Sequence, residues 1–130
     1  MNTSVLTDYY YICADILKDY LPCIPKLKLT NAKGYYGQIQ YDGNNEFTIR
    51  LSKWNLDCGK RKYWDDEDID ELIDTICHEF AHILYWKHGT KHTDTTNQMR
   101  NFVNSTLKIL ECEAKLRIID GFQKESKVAI

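Results

Sequence analysis

Apolar side chains recur at helical spacing through Val5, Leu6, Tyr9, Ile12, Cys13, Ile16, Leu17 and Tyr20. This predicts a first helix from Val5 to Leu21, with Asn2 or Thr3 as its cap and Pro22 as its stop. The pattern then changes period. Leu27 and Leu29 alternate with Lys26, Lys28 and Thr30, Ile39 and Tyr41 alternate with Gln38 and Gln40, and Phe47, Ile49 and Leu51 repeat the arrangement. Period two belongs to strands with one buried face, so a small three-stranded antiparallel sheet is expected. Asp42-Gly43 supplies the positive φ angles of a tight hairpin between the last two strands, widened by Asn44-Asn45. Lys53 to Trp64 lacks periodicity and reads as a loop.

The helical period returns most clearly at Ile69, Leu72, Ile73, Ile76, Phe80, Ile83 and Leu84, after the acidic run Asp65-Asp66-Glu67-Asp68. Those carboxylates offer a cap and suit the partial positive charge of a helix N-terminus. Gly89 is the expected C-terminal stop. A last helix is expected from a cap at Thr93 or Asp94, through Met99, Phe102, Val103, Thr106, Leu107, Leu110, Ala114 and Ile118, to Gly121, with Phe122 to Ile130 frayed. The fold class expected is therefore α+β, with an N-terminal helix, the sheet, a second helix and a C-terminal helix.

The 130 residues suit one domain, residues 1–130. With 43% hydrophobic and 28% charged residues, a disordered or low-complexity chain is excluded. The formal charge of −2 provides no global field for nucleic acid or acidic membrane, so such a partner would need a local patch. Lys60-Arg61-Lys62 is one such patch, more simply read as solvated. No apolar run approaches the roughly 18 residues of a membrane span, and the first 20 residues carry Asp8 and Asp15 without a cationic leader, which suggests a cytoplasmic protein. The cysteines Cys13, Cys23, Cys58, Cys77 and Cys112 are odd in number and form no Cys-x-x-Cys pair, so a disulfide framework or zinc ribbon is not indicated. Tyr9-Tyr10-Tyr11 reads as packing surface and Cys77 as a residue at the core margin.

The chemistry lies in His78-Glu79-Phe80-Ala81-His82. Four residues advance a helix by about 40° beyond one turn, so both imidazoles share a stripe and can hold one tetrahedral ion, for which zinc is suited. Glu79 lies about 100° round, poorly placed as a ligand but within reach of a water at the ion, where a general base works. Ile69, Leu72, Ile76, Phe80 and Ile83 cluster opposite His78, while Glu71, Asp74 and Thr75 share its side, which separates these histidines from the core.

A catalytic zinc site needs a third protein ligand. In an unbroken helix His88 would lie about 9 Å further along the axis and about 80° off the stripe. The chain must bend, and His88-Gly89 permits this if Gly89 turns left-handed. His92 is the alternative ligand from the same segment. Asp94 is expected as a cap, and Glu111 and Glu113 as solvated groups.

His78-Glu79-Phe80-Ala81-His82 followed by His88-Gly89-Thr90-Lys91-His92 resembles the SprT-like zincin metallopeptidases, and the order of elements is similar over about Pro25 to Phe102. The resemblance implies a zincin-like fold with His78, His82 and His88 as ligands of Zn2+ and Glu79 as catalytic base. The related WLM-type peptidases share this ligand scheme. Members of the family often carry an aromatic residue where His92 stands, and Tyr85 replaces the helix-ending glycine of metzincins. Longer members add a cysteine zinc ribbon or DNA-binding segments, so their DNA–protein crosslink repair role is not carried over.

The implied activity is hydrolysis of peptide bonds in a protein or peptide substrate, with Glu79 taking a proton from zinc-bound water and passing it to the leaving amine. Tyr85 and His92 are the candidate oxyanion donors. The strand around Phe47 to Leu51, or its neighbour, is the candidate template for an extended substrate. The alternatives are a catalytically silent zinc-binding interaction module and a nucleic-acid-associated adaptor using the Lys60 segment.

Overall fold

A computed structural model describes residues 3–55, 62–64 and 66–128. The fold consists of three helices and a small mixed sheet. Helix α1 spans Thr3–Leu17, and α2 spans Ile69–Leu84. Helix α3 runs from Thr90 to Val128. The strands are β1 (Lys26–Thr30), β2 (Gly37–Gly43) and β3 (Glu46–Ser52), with a short ribbon of β4 (Trp54–Asn55) and β5 (Lys62–Tyr63). No helix among the described residues is long and apolar enough to cross a membrane.

The sheet departs from the antiparallel expectation. Its order is β1-β3-β2, with β1 parallel and β2 antiparallel to β3. Ile49 and Leu51 of β3 are fully buried, whereas Lys26 and Lys28 of β1 and Gln38 and Gln40 of β2 point outward. The most apolar strand therefore takes the centre and the strands with charged or polar faces take the edges. Residues 31–36 carry the chain across the end of β3. Ser52 N–H donates to Tyr36 O at 2.8 Å, Lys53 N–H to Thr30 O at 2.9 Å, and the Ser52 hydroxyl to Ala32 O at 2.6 Å.

The hairpin also turns two residues later than expected. Asn44 and Asn45, at φ of 53° and 61°, form its two-residue tip, and Gly43, at φ of 88°, pairs with Glu46. Asp42 is engaged instead by Gln40 Nε2 at 2.7 Å and Thr48 Oγ1 at 2.5 Å, which hold its carboxyl below the usual range.

Helix boundaries shift for local reasons. Helix α1 ends at Leu17 and a 3-10 turn, Lys18–Tyr20, leads to Leu21. Thr3 is already helical, and Asn2 lies outside the described residues. Another 3-10 turn, Asp66–Asp68, precedes α2, and Asp68 takes the cap position without a side-chain cap bond. Asp70 and Glu71 still place negative charge in the first turn. Helix α3 begins three residues before Thr93 and continues through Gly121, so neither a cap at Thr93 or Asp94 nor frayed backbone from Phe122 is found. Part of the expected loop Lys53 to Trp64 forms the β4–β5 ribbon. Cys58, Lys60, Arg61 and Asp65 lie outside the described residues.

Helix α2 is the hub. Leu72, Ile73, Ile76, Cys77, Phe80 and Ala81 are all at most 1% exposed and pack with Leu6, Tyr10, Cys13 and Leu17 of α1, Ile49 and Leu51 of β3, and Met99 and Val103 of α3. Cys77 thus sits in the core rather than at its margin. Of the tyrosine triplet, Tyr10 is buried against Phe80 at 5.5 Å between ring centroids and donates to Pro25 O at 2.6 Å. Tyr11 is exposed. Truncating Phe80 to Ala removes an aromatic ring from the centre of this core and should cost about 3–5 kcal/mol, read as a lower midpoint in urea denaturation with an unchanged slope.

Candidate metal centre

Because the apolar residues of α2 are locked into the core, the azimuth of its remaining side chains is set. His78 and His82 emerge one turn apart, with ring centroids 5.0 Å apart. Helix α2 stops at Leu84, where Tyr85 turns extended while its N–H still donates to Ala81 O at 2.9 Å. The helix therefore ends five residues before Gly89, and Gly89 does not adopt positive φ. It accepts from Thr93 N–H at 2.9 Å and opens α3 instead. The extended link from Tyr85 brings His88 back over the helix, so that His78 Nε2 and His88 Nε2 lie 3.2 Å apart.

One ligand atom from each of His78, His82 and His88 lies within 4.8 Å of the others, close enough to bind a metal ion. His82 Nδ1 donates to Trp86 O at 2.8 Å, which fixes the tautomer and leaves Nε2 with its lone pair free. Burial, then the neighbouring imidazoles, depress the pKa of His78 to about 4 and also lower that of His82. His78 and His82 are therefore neutral near pH 7, the state in which imidazole binds a metal.

His92 is not a member of this trio. It is 2% exposed in the first turns of α3, its Nε2 donates to His78 O at 2.9 Å, and its ring stacks on His82 at 4.0 Å. It braces two of the three histidines and has its Nε2 engaged by a carbonyl. Asp94 lies within α3 as an exposed residue, and Glu111 and Glu113 pair with Lys115 and Arg117 on the outer part of that helix at 3.1 and 3.7 Å.

Glu79 is 5% exposed. Desolvation raises its pKa from 4.5 to about 7. It faces Gly37 of β2 so closely that a Cβ there would lie 3.1 Å from Glu79 Cγ and 3.2 Å from Oε2. Glycine at this point lets the strand approach the carboxylate. Sequence reasoning did not single out Gly37, whose only sign is its position before the alternating run.

His78, Glu79, His82 and His88 open onto a cleft of about 300 Å³ whose other walls are Gly37, Gln38, Ile39 and Trp86. Strand β2 is an edge strand at this cleft. The Phe47 to Leu51 strand is β3, paired on both sides, so the candidate template is its neighbour β2. Trp86 extends an aromatic wall through Phe47 and Tyr41, at 6.1 and 5.2 Å between successive centroids. Tyr85 does not line the cleft; its ring lies 6.0 Å from Lys91 Nζ. With His92 committed to His78 O, neither expected oxyanion donor stands in the cleft.

Compared with known proteins, the chain matches no family model, no curated protein and no solved structure.

The buried carboxyl has a stability signature in the metal-free protein. Its folded pKa is above its unfolded one, so the folded chain retains a proton that the unfolded chain releases between pH 4.5 and about 7. Burial of Glu79 therefore costs stability increasingly across that window and fully above it. Replacing Glu79 by Gln should stabilise the chelated protein by as much as about 3 kcal/mol at pH 8 and leave it unchanged below pH 4. Denaturation curves at the two pH values measure the difference; an equal gain at both would contradict the assignment to Glu79.

Proposed function

We propose that the protein is a zinc-dependent metallopeptidase of the SprT-like, zincin-like kind, acting on protein or peptide substrates. The observation that carries this reading is the convergence of three imidazoles and one desolvated carboxyl on a cleft beside an edge strand. Three nitrogen ligands and an open side suit a catalytic zinc better than a closed structural one. His78, His82 and His88 would hold a zinc ion, which would supply Lewis acidity for a substrate carbonyl and lower the pKa of a water.

The chain's own groups account for the remaining steps. An extended peptide pairs with the free edge of β2 at Gly37 to Ile39, which orients its backbone across the cleft. Glu79, in the adjoining cleft wall, takes the proton of the attacking water and returns it to the leaving amine. The low polarity around it strengthens each of these interactions. Trp86 offers an apolar surface to a substrate side chain. His82 is held in one tautomer by Trp86 O, and His92 keeps the ligand pair from rotating. A cytoplasmic location accords with four unpaired cysteines, Cys13, Cys23, Cys77 and Cys112.

Metal analysis by mass spectrometry, combined with cleavage of an unfolded protein substrate, tests this reading. Wild type should carry one zinc. His88→Ala should lose it, whereas His92→Ala should retain it with about 10–100-fold weaker affinity, as expected when a supporting group is removed. Glu79→Gln should keep the ion and lose at least about 100-fold in cleavage rate. Unchanged cleavage would remove Glu79 from the chemistry. A folded wild type with neither bound metal nor cleavage would leave the silent interaction module in its place.

A further inference from the structure

Helix α3 is longer than the domain it packs against. Its buried residues His92, Thr96, Met99 and Val103 face inward, Leu107 is half-buried, and residues 108–117 are all exposed. The exposed part is not polar. Phe102 is 42% exposed, Ile109 59% and Leu116 64%. Together with Ser105 and Cys112 they recur at alternating intervals of three and four, the 3.5-residue period of a coiled-coil seam. This seam points on average roughly 130° away from the buried side of the helix. At its start Phe102 rests edge-on against Tyr20 at 5.4 Å between ring centroids, and from Ile109 onward a second helix can lie along it clear of α1 and α2.

The charges beside the seam select its occupant. Lys108 flanks Ile109 on one side and Glu113 flanks Cys112 on the other, and the sequence repeats the arrangement one heptad later with Lys115 and Asp120. When two such helices run parallel and in register, the residue before Ile109 or Leu116 of one helix meets the residue five positions on in its partner. Lys108 then faces an acidic Glu113. An antiparallel pair would set lysine against lysine and acid against acid. The charge pattern thus fits a second copy of the same helix in one orientation. The existing intrahelical pairs, Lys115–Glu111 and Arg117–Glu113, are solvent-exposed and offer little competition.

We propose that this face of α3 is the interface of a parallel, two-fold symmetric homodimer, with Phe102, Ile109, Cys112 and Leu116 along its seam and reciprocal Lys108–Glu113 pairs flanking it. Like-with-like contact is what an isologous two-fold interface requires. The dimer is independent of the metal centre.

Sedimentation equilibrium of the full chain over a wide concentration range tests the proposal. Wild type should be a reversible dimer, and Ile109→Glu combined with Leu116→Glu a monomer. Lys108→Glu and Glu113→Lys should each weaken the dimer several-fold, and the two together should restore it, because the swapped charges again attract. A short bismaleimide should join Cys112 of one copy to Cys112 of the other, and Cys112→Ser should abolish the product. Circular dichroism separates loss of the dimer from loss of the helix. The proposal is overturned by a wild type that stays monomeric throughout, by a dimer indifferent to the seam substitutions, or by a double charge swap weaker than either single one.

Discussion

The centre depends on one constraint, the fixed azimuth of α2. Leu72, Ile73, Ile76, Phe80 and Ala81 interlock with α1, α3 and β3 so completely that the helix cannot rotate without opening a cavity in the core. His78 and His82 then have one direction available and Glu79 has another, toward Gly37. The core residues alternate along the helix with the reactive ones, so packing energy and site geometry are carried by the same sixteen residues. A helix bound only by its exposed face would leave the imidazoles free to spread, and a spread trio binds no ion tightly.

Closing the trio requires α2 to end early, at Leu84, so that the link to α3 can turn His88 back. Two histidine side chains fasten that link. His82 Nδ1 donates to Trp86 O just beyond the helix, and His92 Nε2 donates to His78 O within it. Each bond both stabilises the link between α2 and α3 and restricts a ring of the cluster. Trp86 is anchored in turn against Phe47 of β3, so the sheet, the helix end and the third histidine are mechanically joined.

Features set by local periodicity were legible in the sequence, and features set by tertiary contacts were not. The 3.6-residue pattern from Ile69 to Leu84 locates α2 and separates its histidines from the core, because both depend only on residues within the helix. Strand alternation tells which side chains of β1, β2 and β3 face inward, but not which strand is central or which way it runs. The parallel pairing of β1 with β3 follows from the Ser52 bonds to Ala32 and Tyr36, which no local pattern encodes. Tyr85-Trp86-Lys87 contains no breaker, so the end of α2 at Leu84 is decided by where Trp86 finds its partners. Gly89 was a natural candidate for the left-handed stop and instead opens α3, which turns His92 inward and leaves His88 as the third member of the cluster.

The cluster and the carboxyl are also linked electrostatically. Burial, and after it the neighbouring imidazoles, disfavours charge on His78 and His82, so those two rings stay neutral below the ordinary range of histidine. Glu79, desolvated with its pKa raised to about 7, resists ionisation for a related reason. The pocket thus suppresses charge of both signs. A divalent cation between the rings would reverse the second effect and favour the carboxylate, while His78 and His82, already unprotonated, would surrender few protons to bind it. The desolvation that weakens the metal-free fold would therefore be offset when a cation enters, which would couple occupancy of the site to the ionisation of Glu79.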